Sequence, residues 1–482
     1  MLIKSFIQCE NKIQPVDIEI SLIPGLPQIH YLGLADQVIK ESLLRIKSAM
    51  KNAGWIFPRT QQVVVNIQPV HLKKTSQGLD LAVVLGILHL TEQMPWQIDF
   101  SKTIVYGELA LDGTIKAPPD IEQLVKPKGF ELLTGGGATD IDHEFLLLSG
   151  LGPQNTIRRQ SAVVSSITAQ RPQFGLEKFF DPEHAELLKI AALSECSVLL
   201  AGPSGSGKTT WAHSLPSFLS TPDSVELKKI RQQLRTEPES FQFWRPLLQP
   251  HHSCSYTAIL GGGHPPKPGD LFKAHHGVLL LDELLEFSSE TLEALREPME
   301  SGHYRLVRNT QVSNYHIDVQ VVATSNLCPC GDWTPKKISG CQKSLYLCRS
   351  YLNHLSGPLV DRFAVMLMTQ DNHLKKANVS GASILEDLEN VREWRKQQIP
   401  TQPLFAKKIK HWSRPELLNM CPDLYQKEII PHWQGSQRRS LFTLRTARAL
   451  ADLDQSLLIQ SYHIENALSW SWTPFMELKK HF

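Results

Sequence analysis

Two different patterns of apolar and polar positions divide the chain. Up to about residue 165, the stretches VDIEISLI, QVVVNIQPV and SKTIVYGEL alternate or are β-branched, which predicts strands. Between them, ADQVIKESLLRIKSAMKNAG repeats apolar residues at helical spacing and stops at Gly54, with Pro58 beyond. LDLAVVLGILHLTEQM reads as a second, more buried helix. The prolines and glycine of RPQFGLEKFFDPEHA predict a linker over residues 166–182. From about residue 183 the order becomes helix, strand, glycine-rich turn, helix. SVLLAG, GVLLLDE and DVQVVATSN are continuous apolar runs, as expected of strands in a parallel sheet covered on both faces. After about residue 372 strand signals fade. ASILEDLENVREWRKQQ, SLFTLRTARALADLDQS and HIENALSWSW then predict a small helical domain over residues 373–482. The pattern gives an α/β protein with a first unit over 1–165, a core over 183–372 and a helical end.

Composition changes this picture little. At 482 residues, two or three domains are expected. The apolar and charged fractions are those of a globular chain without wholesale disorder. No apolar run approaches a membrane span. The start, MLIKSFIQCENKIQ, lacks the apolar core and cleavage site of a signal peptide, so a cytoplasmic location is expected. A formal charge of +2 confines any nucleic-acid surface to a local patch. Of eight cysteines, Cys9, Cys196, Cys254 and Cys421 stand apart and read as small buried hydrophobes. The other four fall between residues 328 and 348.

Chemistry enters at residues 202–210, GPSGSGKTT, which fit G-x-x-x-x-G-K-[ST]. Here Gly202, Pro203, Ser204, Gly205, Ser206 and Gly207 wrap the backbone so that N–H groups face phosphates. Lys208 reaches the outer phosphates, Thr209 offers its hydroxyl to Mg²⁺, and Thr210 follows. A glycine-rich turn is the plain alternative, but the strand before it and the helix after it supply the context a phosphate loop needs. VLLLDE then delivers Asp282 and Glu283 at the C-terminal end of a buried strand, the edge where ligands bind in open α/β sheets. Asp282 suits the Mg²⁺ shell, and Glu283 suits orienting the attacking water of ATP hydrolysis. Asn326, after VVATS, is equally a water-positioning amide and a turn former on residues alone.

These pieces resemble an AAA+ ATPase, and more narrowly the magnesium-chelatase-like YifB/ComM family. YLGLADQVIKESLLRIKSAMKNAGWIFP and YGELALDGTIK resemble its N-terminal part. HHSCSYTAILGGGHPPKPGDLFKAHHGVLLLDELLEF, REPMESGHYRLVRN, ATSNLCPCG and LSGPLVDRF resemble its core. The resemblance spans nearly the whole chain. It implies a P-loop core, a C-terminal helical lid and a Lon-protease-like N-terminal domain. It also tips Asn326 toward a catalytic role. DRF puts Arg362 where the family has an arginine finger that reaches a neighbouring subunit's γ-phosphate, which implies a hexamer. GSQRRSL resembles the sensor-2 segment and points to Arg438, with Arg439 and Arg445 as nearby competitors. KKTSQGLD has Gly78 about where a Lon-type nucleophilic serine would stand, and Ser76 comes two positions early, so proteolysis is not expected.

Two further sets follow from the resemblance. The family shows C-P-C-G and then a C-x-C pair. Here Cys328, Cys330 and Cys341 match, Lys343 takes the last place, and Cys348 is displaced. These thiols are either a structural Zn²⁺ site or a degraded one with three usable ligands. An insertion before the Asn326 strand lines the pore in helicase-like rings. His303, Arg305 and Arg308, joined by Lys267 and Lys273, are then candidates to touch DNA phosphates. The implied activity is a hexameric DNA motor, a branch-migration helicase of natural transformation. An AAA+ remodeller of protein partners and a magnesium-chelatase-type ATPase subunit are the alternatives.

Overall fold

The computed structural model describes residues 1–9, 12–32, 36–68, 78–118, 121, 124, 126–127, 129–137, 141, 143–161, 169–233, 244–263, 267–308, 311–329, 331, 351, 357–369, 378–421 and 437–479. It divides into two compact units, Met1–Ile167 and Thr168–Phe482.

The first unit is built on an eight-stranded mixed sheet. Its strands are β1 (Leu2–Cys9), β2 (Lys12–Pro24), β3 (Ile29–Leu32), β4 (Gln61–Gln68), β5 (Thr103–Val105), β6 (Glu131–Thr134), β7 (Phe145–Leu147) and β8 (Arg158–Gln160). They lie in the order β8-β7-β6-β5-β1-β2-β4-β3. Helix α1 (Asp36–Asn52) and helix α2 (Asp80–Leu90) complete the unit, and α2 is buried from Asp80 through Leu88, which explains its apolar sequence. Gly86 lets α2 come down on β2, because a Cβ there would stand 2.3 Å from Ile20 Cδ1. Asp80, buried at the start of α2, accepts hydrogen bonds from Ser42 Oγ (2.6 Å) and Arg45 Nε (2.7 Å). These bonds fasten α1 to α2, and burial pushes the Asp80 carboxyl above its ordinary range. Gly78 has φ +83°, and a Cβ there would strike the Tyr106 ring at 2.2 Å, so this position admits no side chain. Ser76 lies outside the described residues.

The second unit carries a five-stranded parallel sheet. Its strands are β9 (Val198–Ala201), β10 (Leu247–Leu248), β11 (Val278–Leu281), β14 (Gln320–Ser325) and β15 (Val365–Met368), in the order β10-β11-β14-β9-β15. A hairpin of β12 (His303–Arg308) and β13 (Gln311–His316) precedes β14. Every residue of β9, β11 and β14 is buried, which is why their sequences run apolar instead of alternating. Helix α3 (Pro182–Ser194) starts on Asp181, whose Oδ1 accepts from the N–H groups of Glu183 and His184, with Pro182 pre-set in the first turn.

Helix α4 (Lys208–Ser214) follows β9, and α5 (Ser224–Gln233) comes later on the same side of the sequence as β10. The C-terminal stretch supplies α6 (Gly381–Gln398), α7 (Gln437–Leu453) and α8 (Ser461–Ser471). These helices share one apolar cluster with the sheet, in which Leu187, Val198, Leu367, Leu388, Leu444 and Ile464 are all buried. The end of the stretch read as a linker is folded in: Phe179–Phe180 pairs with Val379–Ser380 as a short antiparallel ladder. Cys196 and Cys421 are buried as expected, but Cys254 is only partly so.

A buried ion cluster ties α3, α5 and the C-terminal stretch together. Lys408 meets Glu195 (3.1 Å) and Glu226 (2.8 Å), Lys410 meets Glu195 (3.0 Å) and Asp318, and Arg245 meets Glu226 (2.8 Å). Burial alone would raise both carboxyls, but hydrogen bonds from His276 and His411, with Lys410 and Lys408 beside them, hold Asp318 well below the usual range, and Lys410, Lys408 and Arg245 do the same for Glu195.

Candidate active site

β9 ends at Ala201 and the chain turns through residues 202–207 before α4 begins at Lys208. Gly202 has φ +154°, and a Cβ there would overlap Thr369 Oγ1 at 2.1 Å, so glycine is required for this close approach. Gly207, at φ +85°, is the left-handed residue from which α4 starts. The loop is closed on itself. Lys208 Nζ donates to Pro203 O (2.6 Å), Gly202 O (3.0 Å) and Asn326 Oδ1 (3.2 Å), and Ser206 Oγ bonds Thr369 Oγ1 (2.8 Å). Burial lowers the Lys208 ammonium to about 8, despite the opposing pull of Asp282 and Glu283. Such a group gains when anionic phosphates replace backbone carbonyls around it.

A second chain segment rests on the loop. Ser204 N donates to Gly331 O (2.9 Å), and the turn that presents this carbonyl is closed by Gly331 N donating to Cys328 O (3.1 Å). Cys328 is buried. Cys330, Cys341 and Cys348 lie outside the described residues. Among the described residues, the His, Cys, Asp and Glu side chains close enough to share a metal are Glu226, His276 and Asp318. Their carboxylates are already met by Lys408, Lys410 and Arg245, so this group is an ion-pair cluster.

Asp282 lies beside the loop. Its Oδ1 accepts from Thr209 Oγ1 (3.1 Å) and from Thr324 Oγ1, and its Oδ2 accepts from Gln249 Nε2 (3.2 Å). Two adjacent oxygens on Mg²⁺ at about 2.1 Å each stand roughly 3 Å apart. The Thr209–Asp282 pair therefore fits that ion with little movement, and its hard oxygen donors suit it. Glu283 follows at φ +56°, with its N–H bonded to Thr324 Oγ1 (3.1 Å). The neighbouring strand orders explain these meetings: β11, β14 and β9 are adjacent and parallel, so the loops leaving their C-terminal ends converge. Lys208, Thr209, Asp282, Glu283 and Asn326 are thus brought to one edge. Gln249 and Thr369 join them from outside the quoted stretches, and Thr324 from within ATSNLCPCG, where nothing local singles it out.

Arg362 lies at the other end of the sheet. Its carbonyl accepts from Ser197 Oγ (2.6 Å), and Ser197 is the residue before β9, whereas the phosphate loop follows β9. The four residues of β9 separate the two by about 13 Å at 3.3 Å per residue. The guanidinium donates to Arg296 O (3.0 Å), Pro358 O (2.6 Å) and Glu300 Oε2 (2.8 Å). Arg438 joins it there, pairing with the same Glu300 and with Asp361 (3.1 Å). The two competitors are spent on structure. Arg439 is 1% exposed and donates to Asp361 Oδ1 (3.0 Å), Ser471 O (2.9 Å), Val360 O (3.2 Å) and Phe363 O. Arg445 donates to Trp412 O (3.1 and 3.2 Å). Arg438 and Arg362 therefore meet on the shared carboxylate of Glu300, away from the phosphate loop of their own chain.

On the hairpin, Tyr304 and Leu306 face inward while His303 and Arg305 are exposed. The tyrosines of the two strands stack at 5.0 Å, and His303 Nε2 lies 3.1 Å from His316 Nδ1. The Arg308 side chain lies outside the described ones. Lys267 is exposed on a two-strand ribbon with Gly261–Gly262, whose Gly261 sits against Leu306. Lys273 is paired with Asp270 (2.9 Å). No helix among the described residues is long and apolar enough to cross a membrane.

The family model described as "Magnesium chelatase, subunit ChlI" matches residues 177–377, and that described as "Subunit ChlI of Mg-chelatase" matches residues 18–128. The chain is 30% identical over 485 residues to the uncharacterized protein YifB of Escherichia coli, covering 95% of this chain and 94% of that one. It is 29% identical over 497 residues to the competence protein ComM of Haemophilus influenzae, covering 94% of each. The chain belongs to the YifB/ComM family of magnesium-chelatase-like AAA+ ATPases, a family whose chemistry implies ATP and Mg²⁺.

Proposed function

We propose that this protein is an ATP-driven hexameric DNA motor, a branch-migration helicase acting on recombination intermediates during natural transformation. The observation that carries the proposal is the path of one strand. The hairpin ends at His316 and β14 begins at Gln320, and β14 leads directly to Asn326, which bonds Lys208. A contact made by the hairpin is thereby joined to the nucleotide site through a single buried strand. Exposed His303, Arg305 and Lys267 suit DNA phosphates. The competence protein to which the chain is similar supports the setting.

In this reading residues 202–207 cradle the phosphates, Lys208 neutralises them, and Thr209 with Asp282 holds Mg²⁺. Glu283 polarises the attacking water and Asn326 orients it. Arg362 and Arg438 stabilise transition-state charge on a neighbour's nucleotide, since both stand at the sheet edge away from their own. The family-model description favours one competing reading, an ATPase subunit of a magnesium chelatase. The discriminating assay is ATP turnover with four-way DNA. Branched DNA is expected to raise the rate in a salt-sensitive manner, and Lys208→Ala to abolish it. Turnover that ignores DNA at every salt concentration refutes the DNA motor.

A further inference from the structure

The loop after β10 serves both candidate catalytic carboxylates. β10 is the parallel neighbour of β11, with Leu247 opposite Val278 and Leu248 opposite Leu279, so their loops leave the sheet at the same edge. Gln249 donates to Asp282 Oδ2 (3.2 Å). Three residues on, His252 Nδ1 stands 3.7 Å from Glu283 Oε2. Two consecutive acids thus face two side chains of one loop in matching order, the first across a hydrogen bond and the second across 3.7 Å.

The two acids differ in how firmly they are held. Asp282 has Thr209, Thr324 and Gln249 as hydrogen-bond donors. The Glu283 side chain is 54% exposed and leaves a backbone in the left-handed region. His252 is less open, at 36% exposed, and has two ring neighbours. Its ring packs on His251 at 4.2 Å between centroids and meets the edge of buried Phe287 at 6.5 Å. His251 is itself anchored, with Nδ1 2.7 Å from Ser253 Oγ and accepting from Ser253 N at 3.3 Å. Phe287 closes the short helix Leu284–Glu286 that follows Glu283.

We infer that His252 is a positioning residue for Glu283, resting on the hydrolytic role proposed for that glutamate. The 3.7 Å separation is an ion-pair distance that needs only a small approach to become a hydrogen bond when nucleotide binds. With the bond made, one carboxylate oxygen is held and the other is left to face water. Without it the exposed side chain samples several rotamers, and a reacting group displaced by about 1 Å can cost about 100-fold in rate.

The test measures ATP turnover, nucleotide affinity and melting temperature of the full chain and its variants. His252→Ala is expected to lower kcat by about 10- to 100-fold, with KM and melting temperature unchanged. His252→Asn, whose side-chain N–H₂ stands where Nδ1 was, is expected to restore most of the rate. In single turnovers, Glu283→Gln combined with His252→Ala is expected to be no slower than Glu283→Gln alone, because nothing remains to be positioned. A wild-type kcat in His252→Ala overturns the inference. So does a loss that His252→Asn fails to restore, or a double variant slowed by the full factor of both changes. Wild type against Lys208→Ala judges hydrolysis itself: an active wild type with an unaffected His252→Ala removes only the role of His252, whereas an inactive wild type removes the hydrolytic reading beneath it.

Discussion

Nucleotide affinity should weaken as pH rises through the range where Lys208 loses its proton. The cause is burial: Lys208 is 7% exposed, and its ammonium falls from 10.5 to about 8 in the nucleotide-free loop. Phosphate oxygens favour the charged form, so binding draws on the protonated fraction alone. With a value near 8 that fraction is about one tenth at pH 9, giving roughly tenfold weaker binding than at pH 7 and about one proton taken up per nucleotide bound. The sign for stability follows from the same shift. The folded value lies below the unfolded one, so the charged form is disfavoured by the fold. The nucleotide-free protein therefore gains stability from this group as pH rises from about 8 toward 10.5. A fluorescent ATP analogue titrated from pH 7.5 to 9.5 at constant ionic strength measures the affinity. Calorimetry in buffers of different ionisation enthalpy counts the protons. Lys208→Met should bind weakly with no slope over the same range. A flat affinity for wild type, with no proton uptake at pH 9, would refute the assignment of a desolvated ammonium to Lys208.

Two pairs of substitutions separate chemistry from architecture. Arg362→Ala and Lys208→Ala should each be inactive alone, yet mixing them should restore turnover, because one supplies the intact arginine edge and the other the intact phosphate loop; a mixture as inactive as its parts would argue against sharing between subunits. Arg439→Ala should cost about 3–5 kcal/mol in chemical denaturation, since it removes a buried guanidinium, leaves partly buried Asp361 with Arg438 alone of the pair, and takes the donor from three backbone carbonyls. Arg438→Ala, on a side chain 28% exposed, should leave the denaturation midpoint nearly unchanged while lowering turnover; equal stability losses in the two would contradict their assigned roles.

What the sequence revealed depended on whether a feature is contiguous. Residues 202–210 carry their whole geometry in nine neighbours, so the phosphate loop was legible without a structure. Asp282 and Glu283 were legible because a buried strand announces its own end. Gln249 carried no such mark, and Thr324, His252 and Glu300, though inside family-like stretches, were not singled out by them. Each acts through a partner tens of residues away, and the meeting depends on the order β10-β11-β14-β9-β15, which local pattern does not encode. Arg438 and Arg439 are adjacent, so the motif could not rank them. A helical turn of 100° decides: Arg439, Thr443 and Thr446 share the buried face at helical spacing, a signal present in the sequence but masked by the polar character of all three. Phe179–Phe180 looked like linker because its strand partner lies about two hundred residues on.

The burial of β14 limits how such a machine can move. All six of its residues are enclosed, and ladders bind it to β11 on one side and β9 on the other. Sliding the strand would break both ladders at once, so the hairpin cannot work as a spring that stretches while the sheet stands still. In the motor proposed above it would act as a tooth cut into a rigid wheel. Any stroke delivered at its tip would then come from whole subunits rocking against one another, and the stiffness of that joint, not the softness of the loop, would set the step.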